Sequence, residues 1–224
     1  MTYMHKQVLS SELLIRSAID FCIEQSGIEH PELLGVTDGK AVGTYVEHKF
    51  KQFINEKFIV SIGNSASGID LPDAHIDTDI KVTSIRQPQS SCPYKSSRQK
   101  IFGLGYNLLV FVYDKKDIDG RSLLHFINCT YIRKDKTADY TTTKRIFEII
   151  QDGGTKEDLI AYFEDRNIPG DEITYDQLAD EVLSNGIHIG YLTISNALQW
   201  RLQYGRVIGL KNEVEGIQNH DFSR

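Results

Sequence analysis

Cysteine is scarce and odd in number, with Cys22, Cys92 and Cys129 far apart in a chain of 224 residues. That excludes a disulfide framework and a zinc site built on paired spacing. Cys22 and Cys129 lie in apolar surroundings and read as small buried hydrophobes. No apolar run approaches the roughly 18 residues that span a bilayer, so no membrane partner is expected. Met1 to Gln7 is polar and lacks the apolar stretch of a secretory signal, which points to the cytoplasm. Gly103-Leu104-Gly105 is too short for a nucleotide-binding phosphate loop and reads as a helix stop. No nucleotide cofactor is therefore expected. A Gly-x-Ser-x-Gly elbow is missing, so serine-hydrolase chemistry has no support. The 7 histidines show no metal-ligand spacing, and there is no internal repeat or low-complexity tract.

Acidic residues are missing from one long stretch. The chain has a net charge of −6, which argues against a polyanionic partner. Its distribution argues otherwise. Between Ile80 and Tyr113 there is no acid, while Lys81, Arg86, Lys95, Arg98 and Lys100 all fall there. A basic strip on an acidic protein is compatible with DNA binding, although a solvated charged face is the commoner origin of such a strip. Hydrophobic residues at 40% and charged residues at 25% are ordinary for a globular chain. The length suits one large domain, or one with an appendage.

Periodicity predicts helices over residues 11–25 and 40–55. Leu14, Ala18, Phe21 and Cys22 line one of them, and Val42, Val46, Phe50, Phe53 and Ile54 the other. A short strand over 58–62 precedes a loop of small residues, 63–68. Residues 69–71 and 76–84 predict a hairpin about the turn at Pro72 to His75. Residues 88–93 read as a loop and 95–104 as a short helix. Residues 108–113 are apolar at every position, as in a strand covered on both faces. Asp119-Gly120 is a tight turn from which 123–132 returns as a strand.

After Thr143 the pattern turns helical, broken at Gly153-Gly154 and Pro169-Gly170. Thr174-x-x-Gln177 reads as a capping box opening a helix to Leu183, and a last helix is predicted over 193–204. These two helices resemble a loose helix-turn-helix. The stripe Ser195, Gln199, Gln203 and Arg206 would carry amides and a guanidinium suited to base edges. A solvated packing helix or a dimer interface would give the same stripe. The order implies an α/β core over 1–143 and a helical C-terminal region over 144–224.

The chemistry concentrates in residues 68–84. Strand alternation would put Asp77, Asp79, Lys81 and Thr83 on one face, and Ile76, Thr78, Ile80 and Val82 on the other. Acids are disfavoured in strands and like charges side by side are costly. A fold tolerates such a row at a solvated edge or where a cation is held. The hairpin would return Asp70 beside Asp77 and Asp79. Two carboxylates and an ammonium can bind Mg²⁺, activate water and steady a phosphate.

Asp70, then Asp79-Ile80-Lys81 between apolar strand residues, followed by Thr83-Ser84 and the buried strand 108–113, resembles the PD-(D/E)xK nuclease core. Gly43-Thr44-Tyr45-Val46-Glu47 resembles the upstream helix that often adds a glutamate in that family. The size, the small-residue loop and the helical tail look like type II restriction endonucleases. The resemblance implies a restriction-endonuclease-like α/β core, with a mixed central sheet flanked by helices. It implies Mg²⁺ held by Asp70, Asp79, the Ile80 carbonyl and Glu47, with Lys81 orienting water and steadying the phosphate. It also implies double-stranded DNA as substrate, and a homodimer, because cutting both strands of a symmetric site needs two centres.

A literal proline-aspartate pair stands at Pro72-Asp73, but a hairpin this tight leaves Asp73 at its tip, so Asp70 is the better candidate. Arg86, Gln87, Gln89, Ser90 and Ser91 follow the acid-bearing strand and would contact DNA near the cleaved phosphate, if they are more than a solvated loop. Two other readings compete. One is a structure-specific repair or recombination nuclease of the same fold, and the other a non-catalytic DNA-binding regulator.

Overall fold

The computed structural model describes residues 6–63, 68–91, 96–195 and 200–223. β1 (Gln7–Val8) leads into α1 (Ser11–Ser26), where the Ser10 side chain accepts from the Leu13 N–H. α2 (Gly39–Lys57) opens at Asp38, whose carboxylate accepts from the Lys40 and Ala41 N–H groups. β2 (Phe58–Ile59) pairs in parallel with β1. Then come β3 (Thr78–Ser84), β4 (Gln89–Ser91), α3 (Ser97–Phe102), β5 (Asn107–Ile118) and β6 (Arg121–Ile132). The chain continues through α4 (Tyr140–Gln151), α5 (Lys156–Asp165) and α6 (Glu172–Asn185). It ends with β7 (Thr193–Ser195), β8 (Arg201–Gln203), α7 (Gly205–Ile208) and β9 (Ile217–Asp221).

The central sheet has the order β3-β5-β6-β9 and is mixed, with β3 parallel to β5 and the other pairs antiparallel. β5 explains the unbroken apolar run. Leu109, Phe111 and Tyr113 face α1 and α2, while Leu108, Val110 and Val112 face Ile194, Leu202 and Tyr204. Phe111 meets Phe21 and Phe50 edge-on, at 5.8 and 4.9 Å between ring centres. Each such pair adds about 0.5–1.5 kcal/mol beyond area burial. A separate core joins Ile146 of α4, Leu159 and Phe163 of α5, and Leu178 and Val182 of α6. Cys22 and Cys129 are free and buried, and burial pushes the Cys22 thiol up. Among the described residues no helix is long and apolar enough to cross a membrane.

Three local expectations are corrected. First, the helix predicted over 193–204 is replaced by β7 and β8, which form an antiparallel sheet with β4 in the order β4-β8-β7. Ile194 and Leu202 lie eight residues apart, a spacing that suits either a helix or a strand. Each is flanked by polar residues in Thr193-Ile194-Ser195 and Arg201-Leu202-Gln203, which is the period of a strand. No helix-turn-helix forms among the described residues, and Gln199 lies outside them. The loop expected at 88–93 contributes β4 to the same sheet, and β9 returns to the central sheet beside β6.

Second, α6 is capped by Asp171, whose carboxylate accepts from the Thr174 N–H at 2.9 Å. The reciprocal capping box belongs to Thr155 and Asp158 at the start of α5. Third, the hairpin over 69–84 reduces to a single bridge, Leu71 with Thr78. Asp77 has a φ of 41°, a left-handed value that ends the extended run. β3 therefore begins at Thr78, and Asp77 drops out of the acidic row.

Candidate active site

β3 ends the central sheet, and α2 crosses beside it. Ile80 and Val82 join the core around α2, and a Cβ on Gly43 would lie only 3.8 Å from that of Val82. This close packing brings the middle turns of α2, which carry Glu47 and Lys51, to the strand. A cleft of about 570 Å³ opens there, lined in part by Glu47, Lys51, Asp70, Asp79 and Lys81. Clefts of about 950 and 980 Å³ lie elsewhere, but neither is lined by a buried acid. The chemistry selects the smaller one, where Asp79 is 5% exposed.

Asp70 reaches the site from the segment before the turn. Its Oδ2 accepts from the Ile80 N–H at 2.8 Å, and its Oδ1 from Lys51 Nζ at 2.5 Å. Lys51 also donates to Glu47 Oε1 at 2.7 Å, one helical turn back on α2. Lys81 Nζ lies 2.6 Å from Asp79 Oδ2. The Asp70 and Asp79 carboxyls are close neighbours, since Asp70 is bonded to the backbone of the residue that follows Asp79. Burial pushes the Asp79 carboxyl up to about 6 against the pull of Lys81, and the neighbouring Asp70 carboxyl adds to the rise. Burial acts on Asp70 too, but the neighbouring Asp79 and the bonds to Lys51 and the Ile80 N–H outweigh it and hold this carboxyl low. Two carboxylates this close do not both ionise freely without a cation.

That donor set suits a hard divalent cation. Among the described residues no three acids, imidazoles or thiols converge closely enough to enclose a metal. Mg²⁺ does not require that, because it keeps several waters and is held through one or two carboxylates. A cation already stands in, since the Lys51 ammonium lies between Glu47 and Asp70. In a strand the N–H and C=O of one residue point to the same edge. The Ile80 carbonyl therefore shares the edge on which its N–H meets Asp70.

Asp73 is not brought to this cleft. It sits at the turn, where its carbonyl accepts from the Ile76 and Asp77 N–H groups and its carboxylate from the Ser61 N–H at 2.9 Å. Arg86 and Gln87 are exposed on the turn after β3. Gln89, Ser90 and Ser91 form β4, and Gln203 lies opposite Gln89 on β8. Ser90 turns inward, its hydroxyl 2.6 Å from that of buried Tyr204. Arg206 stacks on the Tyr140 ring at 3.7 Å. Lys51 and the Thr83 hydroxyl were missed in the sequence. The i, i+4 spacing of Glu47 and Lys51 was the available signal for the lysine.

The family model described as type II restriction enzyme NspV matches residues 8–219. The type II restriction enzyme NspV of Nostoc sp. is 52% identical over 212 residues, covering 94% of this chain and 96% of its own. No solved structure matches the chain. The matched span includes α2, the acids of the cleft and the strands that close the second sheet, so the chain as a whole belongs to the family of type II restriction enzyme NspV.

Proposed function

We propose that this chain is a site-specific endonuclease that hydrolyses phosphodiester bonds in double-stranded DNA with Mg²⁺. One observation carries the reading. In a member of a restriction-enzyme family, an edge strand carries Asp79 2.6 Å from Lys81 and offers the intervening Ile80 N–H to the Asp70 carboxylate, so both acids meet beside the lysine. Asp70 and Asp79 would hold the ion, helped by the Ile80 carbonyl and Glu47. When bound, Mg²⁺ supplies Lewis-acid stabilisation of the phosphate and makes water a better nucleophile at neutral pH.

The chain's own groups do the rest. Lys81 gives its positive charge to the phosphate oxygens as negative charge develops there, and orients the attacking water. The short contact to Lys81 steadies Asp79. Lys51 bridges Glu47 and Asp70 and offsets part of their negative charge before the ion arrives. Arg86 and Gln87, exposed beyond the end of β3, contact the DNA backbone near the scissile phosphate. A homodimer supplies the second centre needed to cut the opposite strand of a symmetric site.

The test is digestion of a mapped plasmid with Mg²⁺ and with EDTA. Discrete bands that need the metal are expected. Cutting without preferred sites would favour a structure-specific nuclease, and binding without cutting a regulator.

A further inference from the structure

We infer that the outward face of the β4-β8-β7 sheet reads base edges in the major groove. Gln89, Gln203 and Thr193 form one row, and Ser91, Arg201 and Ser195 the next. This rests on the endonuclease reading above and names its specificity surface.

Strand parity defines the two faces. The register aligns Ser90, Leu202 and Ile194 across the sheet. Leu202 and Ile194 are buried, and Ser90 is bonded to Tyr204 beneath. Side chains alternate along a strand, so the rows on either side turn outward. The register sets Gln89 opposite Gln203 and Gln203 opposite Thr193, then Ser91 opposite Arg201 and Arg201 opposite Ser195. All six are partly or fully exposed, and each carries an amide, a hydroxyl or a guanidinium. None is acidic.

The charge pattern of the whole chain singles out this sheet. The sequence holds 31 acids in 224 residues, yet none falls between Asp79 and Asp114 or between Glu181 and Glu213. β4 comes from the first interval, and β7 and β8 from the second. Folding thus assembles one sheet wholly from two acid-free stretches far apart in sequence, in a protein of net charge −6. Solvation alone gives no reason to keep carboxylates away from such a face. A face that closes on phosphates does.

The sheet is also bolted to the acid-bearing strand. The buried Thr83 hydroxyl, two residues beyond Lys81, lies 3.1 Å from the carbonyls of both Gln87 and Gln89 and accepts from the Gln89 N–H at 3.1 Å. Gln89 and Gln203 are cross-strand partners, about 5 Å apart at the backbone. Each amide offers a donor and an acceptor, the pair that engages adenine N6 and N7, while a guanidinium suits guanine O6 and N7. Strands are an established means of entering the groove.

The test digests a DNA pool with randomised sites, in Mg²⁺, and sequences the ends for wild type, Gln89→Ala, Gln203→Ala and Gln218→Ala. Gln218 is an exposed amide on β9, away from this sheet, and serves as control. Each of the first two variants should lose roughly ten- to a hundredfold of its preference for the cognate site over single-base neighbours, at one or two positions. Melting midpoints should match wild type, and Gln218→Ala should keep full preference. If wild type cuts one site and both sheet variants keep its selectivity, the reading face is wrong. If wild type leaves no discrete ends, the endonuclease reading itself falls.

Discussion

Lys51 Nζ lies within hydrogen-bond distance of both Glu47 and Asp70, so one helix-borne ammonium joins α2 to the segment that carries the first acid. Its side chain is 14% exposed, and those of Glu47 and Asp70 are 30% and 17% exposed. An ion pair half withdrawn from water is costly to break one-sidedly.

Lys51→Met should therefore lower the stability of the metal-free protein by about 2 kcal/mol, roughly 4–8 °C in melting midpoint for a chain of this size. Mg²⁺ should raise the midpoint more in the variant than in wild type, because the two carboxylates then lack any other cation. Thermal melts with and without Mg²⁺ decide the matter. Equal metal-induced shifts in the two proteins would remove Lys51 from this role.

Asp79→Ala and Lys81→Ala should each reduce cleavage by roughly a thousandfold or more, with fold and DNA binding retained. Asp70→Asn should be equally inactive, since Asp70 lines the cleft with Asp79 and bonds to Lys51 and the Ile80 N–H. Asp73→Asn should retain most activity, since Asp73 bonds to the Ser61 N–H at the turn. Single-turnover cleavage rates measure all four. Activity in Asp70→Asn with loss in Asp73→Asn would move the metal ligand to the literal proline-aspartate pair.

The acids were legible because charge inside an apolar strand demands a reason. The central strand β5 was legible for the opposite cause, since only burial on both faces explains seven consecutive buried residues from Asn107 to Tyr113. Lys51 was not, because its role depends on how closely α2 crosses β3, a tertiary fact. The error over 193–204 came from a spacing shared by two periods, and only the pairing of β8 with β4 resolves it. Asp171 and Thr174 are both able N-cap residues, so local sequence left the choice open. The union of the Arg86 to Ser91 segment with Gln203 in one sheet was out of reach, since nothing local in either segment specifies the pairing of β4 with β8.

The pH response of the metal-free protein should expose Asp79. Its carboxyl rises from an ordinary 3.8 to about 6 in the native state, chiefly through burial. In that window the folded chain holds a proton that the unfolded chain has released. The stabilising contribution is complete below the unfolded value and is lost as pH climbs through the folded one. The stability gap between wild type and Asp79→Asn should then shift against wild type between about pH 4 and pH 7, measured by urea unfolding without metal. A gap that does not vary with pH would falsify the assignment of a raised carboxyl. The midpoint gain from Mg²⁺ should grow over the same interval, since the ion competes with that proton.

Thr83 offers a test of the link between cutting and reading. Thr83→Val keeps the volume but strips the hydroxyl from the Gln87 and Gln89 backbone groups, at a cost of about 1–3 kcal/mol. Its preference for the cognate site should fall together with its stability. Thr83→Ser, which keeps the hydroxyl, should restore selectivity. If Thr83→Val is destabilised yet fully selective, the hydroxyl serves only the turn.

β3 is the outermost strand of its sheet, and an open strand edge invites a second chain to add to it. Here Leu71 takes up Thr78 at one end, and the Asp70 carboxylate occupies the Ile80 N–H where a neighbouring strand would bond. Lys81 adds a charge that no apolar strand would accept alongside it. The groups that equip the cleft thus also deny the edge to another copy. Protection against edge-to-edge pairing and the proposed means of cutting DNA thus rest on the same few side chains, so a substitution that empties the cleft also opens the edge.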